Sequence, residues 1–497
     1  MLGLFAEKSD HPLADPKEAK RLFAGLTIKN ASEALDEAAI LIESLHRDQR
    51  IPPDKRWDIL RQMDEVMIGH ARRFARDYAA ATASSRSGEM RLWRLGAEYW
   101  RYLADGYLDV FEATLARPRD SGIKTTMPNF YVRTLHAFAA ILKWGQFRYA
   151  PPGREYWADL GKIYMAAVDA NAAGMTVPLY VGDRTTTPER EYLKVLVFHA
   201  SSMDSLLPQE VELADRLLDY LLPQFQFGAQ VQPDSVYWVD ALSKQAPMRF
   251  AVRPQASPSL RCFSPGLALD AVATLKSQVE QETLPSALAL GNSYTPAMMI
   301  DVLNHLADYW APIPPQRSHA RHRVKSRMTV LQSLPTAYRR LATLVEGDVE
   351  SWEVEDVSQG GMRATASLAR DSKLAVGTLL LLRPEGGENW LLGVVRRFAR
   401  HDDTNPYASL GIETLSRQPR ALCVDSGGIR TEVILVDDWQ TAAQVRVVLP
   451  AAAWEDNIAM TFDDGGTSVK LFPDGQEQSG PDYLIGRYRV RVAASDV

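Results

Sequence analysis

Two short stretches of this chain hold side chains whose types and spacing could do chemistry. Residues 352–364, WEVEDVSQGGMRA, alternate like a strand and then bring an acid, a hydroxyl and a glycine together as Asp356, Ser358 and Gly361. Some thirty residues upstream, RSHARHRVKSR (317–327) holds Arg317, Arg321, Arg323, Lys325 and Arg327. Guanidinium groups present a planar fork of N–H donors that grips phosphate oxygens two at a time or stacks on flat rings. A carboxylate only accepts hydrogen bonds, a serine hydroxyl does both, and glycine admits close approach and a positive φ that a Cβ would hinder. Each stretch also has a plain reading. Asp356 and Ser358 could close an Asx-type turn completed by Gly360–Gly361, and the arginines could be a solvated linker.

The elements that must position these residues follow from periodicity. From about residue 16 to 310 apolar residues recur at three- and four-residue steps, as in RWDILRQMDEVMIGHARRFARDYAAA, where Ile59, Leu60, Met63, Val66, Met67 and Ala71 share a face. Pro52, Pro53 and Asp54 mark the start of that helix. The segments NASEALDEAAILIESLH, MRLWRLGAEYWRYLADGYLDVFEATLA, PQEVELADRLLDYLLPQF, PGLALDAVATLKSQVEQE and PAMMIDVLNHLADYW read the same way. Only a stretch near 227–253 looks extended. Trp93, Trp100, Trp144, Trp157 and Tyr164 fall at helical spacing and read as core. APIPPQRSHA (311–320) has three prolines and suits an extended linker. Beyond it the period changes to that of short strands: SRMTVLQS, SWEVEDV, GTLLLLRP, NWLLGVVRRFAR and ASLGIETLS. The tail, 421–497, is strand-rich again, with FDDGGTSV reading as a hairpin. The expected fold is α+β and multidomain. A large all-α region (1–310) and a linker (311–320) lead into a small β-barrel (321–420), and 421–497 forms a second small barrel or an extension of the first.

Taken together, in this order and spacing, the motifs resemble the PilZ domain family, whose members bind the bacterial second messenger cyclic di-GMP. That family carries R-x-x-x-R on a flexible segment leading into a six-stranded β-barrel, then D/N-x-S-x-x-G at a strand end. The resemblance covers roughly residues 320–420. It implies a cyclic di-GMP site made of Arg323, Arg327, Asp356, Ser358 and Gly361. An overlapping R-x-x-x-R at Arg317 and Arg321 leaves the register open. Arg323 and Arg327 are preferred because that pair abuts the first strand; Arg321 could assist, and Arg396 could stack from a later strand. In this assignment the arginines meet phosphates or guanine O6 and N7, and Asp356 accepts from guanine N1–H and N2–H₂. Ser358 donates to a phosphate or base, and Gly361 gives the ligand room through a positive φ.

The resemblance implies a non-enzymatic receptor with no cofactor. Its mobile basic arm would fold over the barrel on binding, and the helical region would serve as the platform for a protein partner. The controlled process would be motility, type IV pili, attachment or exopolysaccharide production. Two other readings stand beside it: a nucleic-acid-binding module using the 317–327 arm, and a scaffold whose barrel takes no ligand. The net charge of -6 argues against whole-surface nucleic-acid binding. With only Cys262 and Cys423, neither a disulfide framework nor a cysteine zinc site is expected. No signal-peptide layout or run of ~20 apolar residues is present, which suggests a cytoplasmic protein. CVDSGGI (423–429) and His401–Asp402 resemble fragments of protease and metal-phosphohydrolase motifs. They lack the partners such sites need, and both read as turns.

Overall fold

Short polar side chains and prolines set where the N-terminal helices begin in the computed structural model of the chain. The helices are α1 (Pro16–Thr27), α2 (Ala31–Arg47), α3 (Pro53–Ala80), α4 (Arg86–Ala116), α5 (Met127–Gln146), α6 (Arg154–Asp169), α7 (Pro188–Ala200), α8 (Pro208–Leu221), α9 (Ala268–Glu280) and α10 (Pro296–Trp310). Asp15, Thr187 and Thr295 each accept a hydrogen bond from a backbone N–H two or three residues on. Each is followed by a proline in the first turn. A missing N–H does no harm there, because that donor has no partner inside the helix. The structure describes residues 9–48, 50–81, 86–116, 126–251, 254–291, 293–314, 320–343, 349–368, 374–400 and 406–492.

The chain divides into two units with the main boundary between residues 316 and 317. That break falls within the stretch read as a linker, of which 315–319 lie outside the described residues, as does Arg317. The N-terminal unit is helical but not all-α. A hairpin of β1 (Val177–Pro178) and β2 (Thr185–Thr186) follows α6. Between α8 and α9 comes a four-stranded sheet of β3 (Gln226–Gly228), β4 (Tyr237–Asp240), β5 (Met248–Arg249) and β6 (Leu260–Ser264), in the order β3-β6-β4-β5. This is where the sequence looked extended. Alternation in Tyr237–Asp240 buries Tyr237 and Val239, the period of a strand rather than a helix. The aromatic residues read as core are buried. Trp57 packs on Tyr107 and Phe130 with ring centroids 5.6 and 5.0 Å away, and Tyr164 stacks on Tyr192 at 4.1 Å. No helix among the described residues is long and apolar enough to cross a membrane.

The C-terminal unit contains two closed barrels. The first is built from β7 (His322–Gln332), β8 (Glu350–Val357), β9 (Gly361–Ser367), β10 (Leu379–Pro384), β11 (Leu391–Arg400) and β12 (Tyr407–Ser416), with α11 (Leu334–Thr343) between β7 and β8. Around the barrel the order is β7-β8-β9-β12-β11-β10, closed by β10 on β7, and every pair is antiparallel. The second barrel takes β13 (Arg420–Ser426), β14 (Ile429–Leu435), β15 (Gln444–Leu449), β16 (Met460–Asp464), β17 (Thr467–Ser479) and β18 (Leu484–Val492). Its order, β13-β14-β15-β18-β17-β16, repeats that of the first barrel strand for strand. The tail is therefore a separate barrel, not an extension. Its hairpins turn on glycine pairs: Gly427 and Gly428 have φ of 61° and 89°, Gly465 and Gly466 58° and 88°. The right-handed strand twist demands such turns. CVDSGGI thus forms a hairpin, with Asp425 Oδ1 accepting from Gly428 N–H at 3.0 Å. His401 and Asp402 lie outside the described residues.

The barrels share one core. Leu331, Leu379, Leu381 and Leu392 of the first pack with Ile434, Val448 and Ile485 of the second, and with Leu334 and Ala337 of α11. This explains why Leu379–Leu382 are all buried. Leu379 and Leu381 face the shared cluster, and strand alternation turns Leu380 and Leu382 the other way. Polar contacts fix the seam. Tyr483 Oη donates to Gly377 O at 3.0 Å, and Leu334 N–H donates to Asp482 Oδ2 at 2.8 Å.

Candidate functional site

The outer half of β7 carries the basic motif. Its inner half buries Met328, Val330 and Leu331; from His322 to Arg327 none is buried. The strand continues nonetheless, because β8 extends alongside and offers backbone partners: Arg323 lies opposite Asp356 and Arg327 opposite Glu353. The register shifts between Arg323 and Ser326. Arg323 and Arg327 therefore lie inside the first strand. Expecting them on a segment before that strand was wrong, since apolar alternation alone places its start too late.

Asp356, at the end of β8, is the centre of the site. Its Oδ1 accepts from Arg321 Nη1 at 2.6 Å, and Arg363 Nε stands 3.6 Å from Oδ2. The carboxylate is thus bracketed by the residue just before β7 and by its ladder neighbour on β9. Arg363 was missed in the sequence. The signal was there: Met362, Ala364 and Ala366 alternate inward, which turns Arg363 to the side that Asp356 occupies. The other two turn residues have local duties. Both the N–H and the hydroxyl of Ser358 donate to Gly361 O, at 2.7 and 3.0 Å. Gly361 does not have a positive φ. Glycine is required because a Cβ there would lie 2.1 Å from Ile412 O on β12, so neighbouring backbone, not a ligand, sets the need for space.

A groove of about 760 Å³ runs beside the carboxylate. Arg323, Lys325 and Arg327 of β7 and Arg363 of β9 line it, facing Glu353, Glu355, Asp356 and Glu385. Four cations against four acids leave it neutral. Arg327 is engaged, with Nε donating to Ser351 Oγ at 3.0 Å and Nη1 3.9 Å from Glu353. Arg323 and Lys325 have no ion-pair partner among the described residues. Neither Arg321 nor Arg396 is part of the groove lining, and Arg321 meets the groove only through its bond to Asp356. Arg396 sits on β11 with Nε donating to Glu413 Oε2 at 2.5 Å, so the structure does not bring it to Asp356.

Comparison with known proteins adds a separate signal from elsewhere in the chain. Residues 17–232 match the family model for the N-terminal domain of the cyclic-di-GMP receptor FimW. The matched span runs from α1 just past β3, less than half of the chain, and both barrels lie outside it. No curated protein matches the chain.

Proposed function

We propose that this chain is a non-enzymatic receptor for cyclic di-GMP and that the ligand binds at the groove beside Asp356 on the first barrel. The observation that carries the reading is the Arg321–Asp356–Arg363 cluster on a six-stranded barrel. It shares a chain with a helical segment similar to part of a cyclic-di-GMP receptor. The two signals occupy different residues of the chain.

The geometry also favours one register of the arginine motif. The preference for Arg323 and Arg327 rested on that pair abutting the first strand. The strand begins at His322, so by the same criterion the pair that precedes it is Arg317 and Arg321. In this assignment Asp356 accepts from the N1–H and N2–H₂ edge of a guanine. Arg321 leaves or shares Asp356 to meet a phosphate or stack on a base. Arg323 and Lys325, which have no ion-pair partner among the described residues, supply further donors along the groove. Ser358 and Gly361 shape the turn that holds Asp356. The output is a protein–protein contact made or released when the ligand reorders the segment before β7, with the helical unit as partner platform. The process served would be motility, pili, attachment or exopolysaccharide production, in the cytoplasm. A neutral groove suits one ligand with both N–H donors and phosphates better than generic nucleic acid, for which a basic stripe is expected.

Calorimetry with the purified full chain tests this. Saturable binding of cyclic di-GMP is expected at micromolar concentration or tighter, and no saturation at tens of micromolar would sink the reading. Asp356→Ala and Arg321→Ala should each weaken binding about tenfold or more, as loss of a charge-assisted contact worth about 1.5–3 kcal/mol implies.

A further inference from the structure

A second cavity, of about 540 Å³, lies within the helical unit. One side is small and apolar: Ala71 and Ala75 of α3 and Ala139 and Ala140 of α5 leave the space that larger side chains would fill. Another is a continuous chain of alternating charge. His136 Nδ1 lies 3.1 Å from Glu191 Oε2, and Arg184 Nη2 donates to both Glu191 Oε1 and Asp219 Oδ1 at 3.0 Å. Lys194 Nζ bridges Asp219 Oδ2 and Asp215 Oδ1 at 2.9 and 2.8 Å. Lys143 Nζ bridges Asp215 Oδ2 and Glu212 Oε2 at 2.8 and 2.9 Å, and Glu212 Oε1 accepts from Arg216 Nε at 3.3 Å. Burial alone would lower the pKa of both lysines, but the flanking carboxylates raise them, so both stay charged.

The charge inventory of this wall is lopsided. Both oxygens of Asp215, of Asp219 and of Glu212 are taken by cations. Each lysine ammonium has three N–H donors and gives two to these partners. Arg76, half-buried at the same wall, has no ion-pair partner among the described residues. Six cations and four carboxylates line the space. The excess is of positive charge, and a ligand that balances it must bring several anionic oxygens on one centre, next to an apolar part that covers the alanines.

We propose that this cavity binds a small phosphate-bearing metabolite, with the phosphate toward Arg76, Lys143 and Lys194 and the organic part over the alanines. The site is independent of the barrel groove. Phenyl phosphate and inorganic phosphate are suitable probes, titrated by calorimetry into the full chain at fixed ionic strength. Phenyl phosphate should bind saturably and more tightly than inorganic phosphate. Arg76→Gln, on a half-buried side chain outside the charge chain, should weaken it about tenfold. Asp356→Ala should leave it unchanged. The proposal is overturned by no saturable heat up to about 10 mM, weaker than any useful site. It is equally overturned by unchanged binding to the Arg76→Gln chain, or by the same heat from matched sodium chloride.

Discussion

At the residue scale the arginines separate by what they touch. Arg321 reaches the Asp356 carboxylate at 2.6 Å, whereas Arg327 is turned to Ser351 and Glu353 on the exposed side of β8. Arg321→Gln is therefore expected to lower cyclic di-GMP affinity more than Arg327→Gln does, by about tenfold if one charge-assisted contact makes the difference. Parallel titrations of the two variants decide it, and the reverse ranking would return the motif to the Arg323/Arg327 register. A second residue-scale outcome concerns His199. Burial beside Trp157, whose ring centroid is 4.8 Å away, lowers its pKa from the ordinary histidine value of 6.5 to about 4. Between those values the unfolded chain binds a proton that the folded chain does not, so stability falls as pH drops through this window and is insensitive to this group above about 7. The loss is at most about 3 kcal/mol. Urea melts from pH 4 to 7 should show this slope, and it should shrink in His199→Gln.

The elements show where sequence reading succeeds and where it stops. Helices were legible because burial on one face imposes a 3.6-residue period, and caps such as Asp15–Pro16 and Thr295–Pro296 mark their starts. Strands β8, β10, β11 and β12 were legible from runs such as SWEVEDV and GTLLLLRP. The outer half of β7 was not, because RVKSR has no apolar alternation and is a strand only through its backbone pairing with β8. Arg363 stayed hidden for a related reason: its meaning depends on Asp356 lying opposite, which is register rather than sequence. Ser358 and Gly361 were found as a motif, but their duties, a turn and a close approach to β12, required the packed sheet. Gly361→Ala tests the last point. A Cβ 2.1 Å from Ile412 O forces β9 and β12 apart, with a stability loss of about 2 kcal/mol or more, readable in chemical denaturation with or without ligand.

At the scale of the molecule, the C-terminal unit holds two barrels of one strand order, and the helical unit carries its own cavity. The two barrels differ in the chemistry between their second and third strands. The Asp356–Arg363 pair of the first has a counterpart in Asp437 and Arg446, where Arg446 Nε and Nη2 grip the two carboxylate oxygens at 2.9 and 2.8 Å. The arginine motif has no second copy, since only Arg417, Gln418 and Pro419 separate β12 from β13. The shared core has a thermodynamic consequence. Because Leu381 and Leu392 share one buried cluster with Ile434 and Ile485, opening one barrel exposes the other's apolar face, and the pair is expected to melt as one cooperative block. A ligand held beside Asp356 then stabilises the whole block by mass action. Amide exchange at Val433 and Val447, in a barrel that makes no contact with the proposed ligand, should slow when cyclic di-GMP is added. Unchanged exchange there, with slowing confined to β7–β9, would show instead that the two barrels open separately.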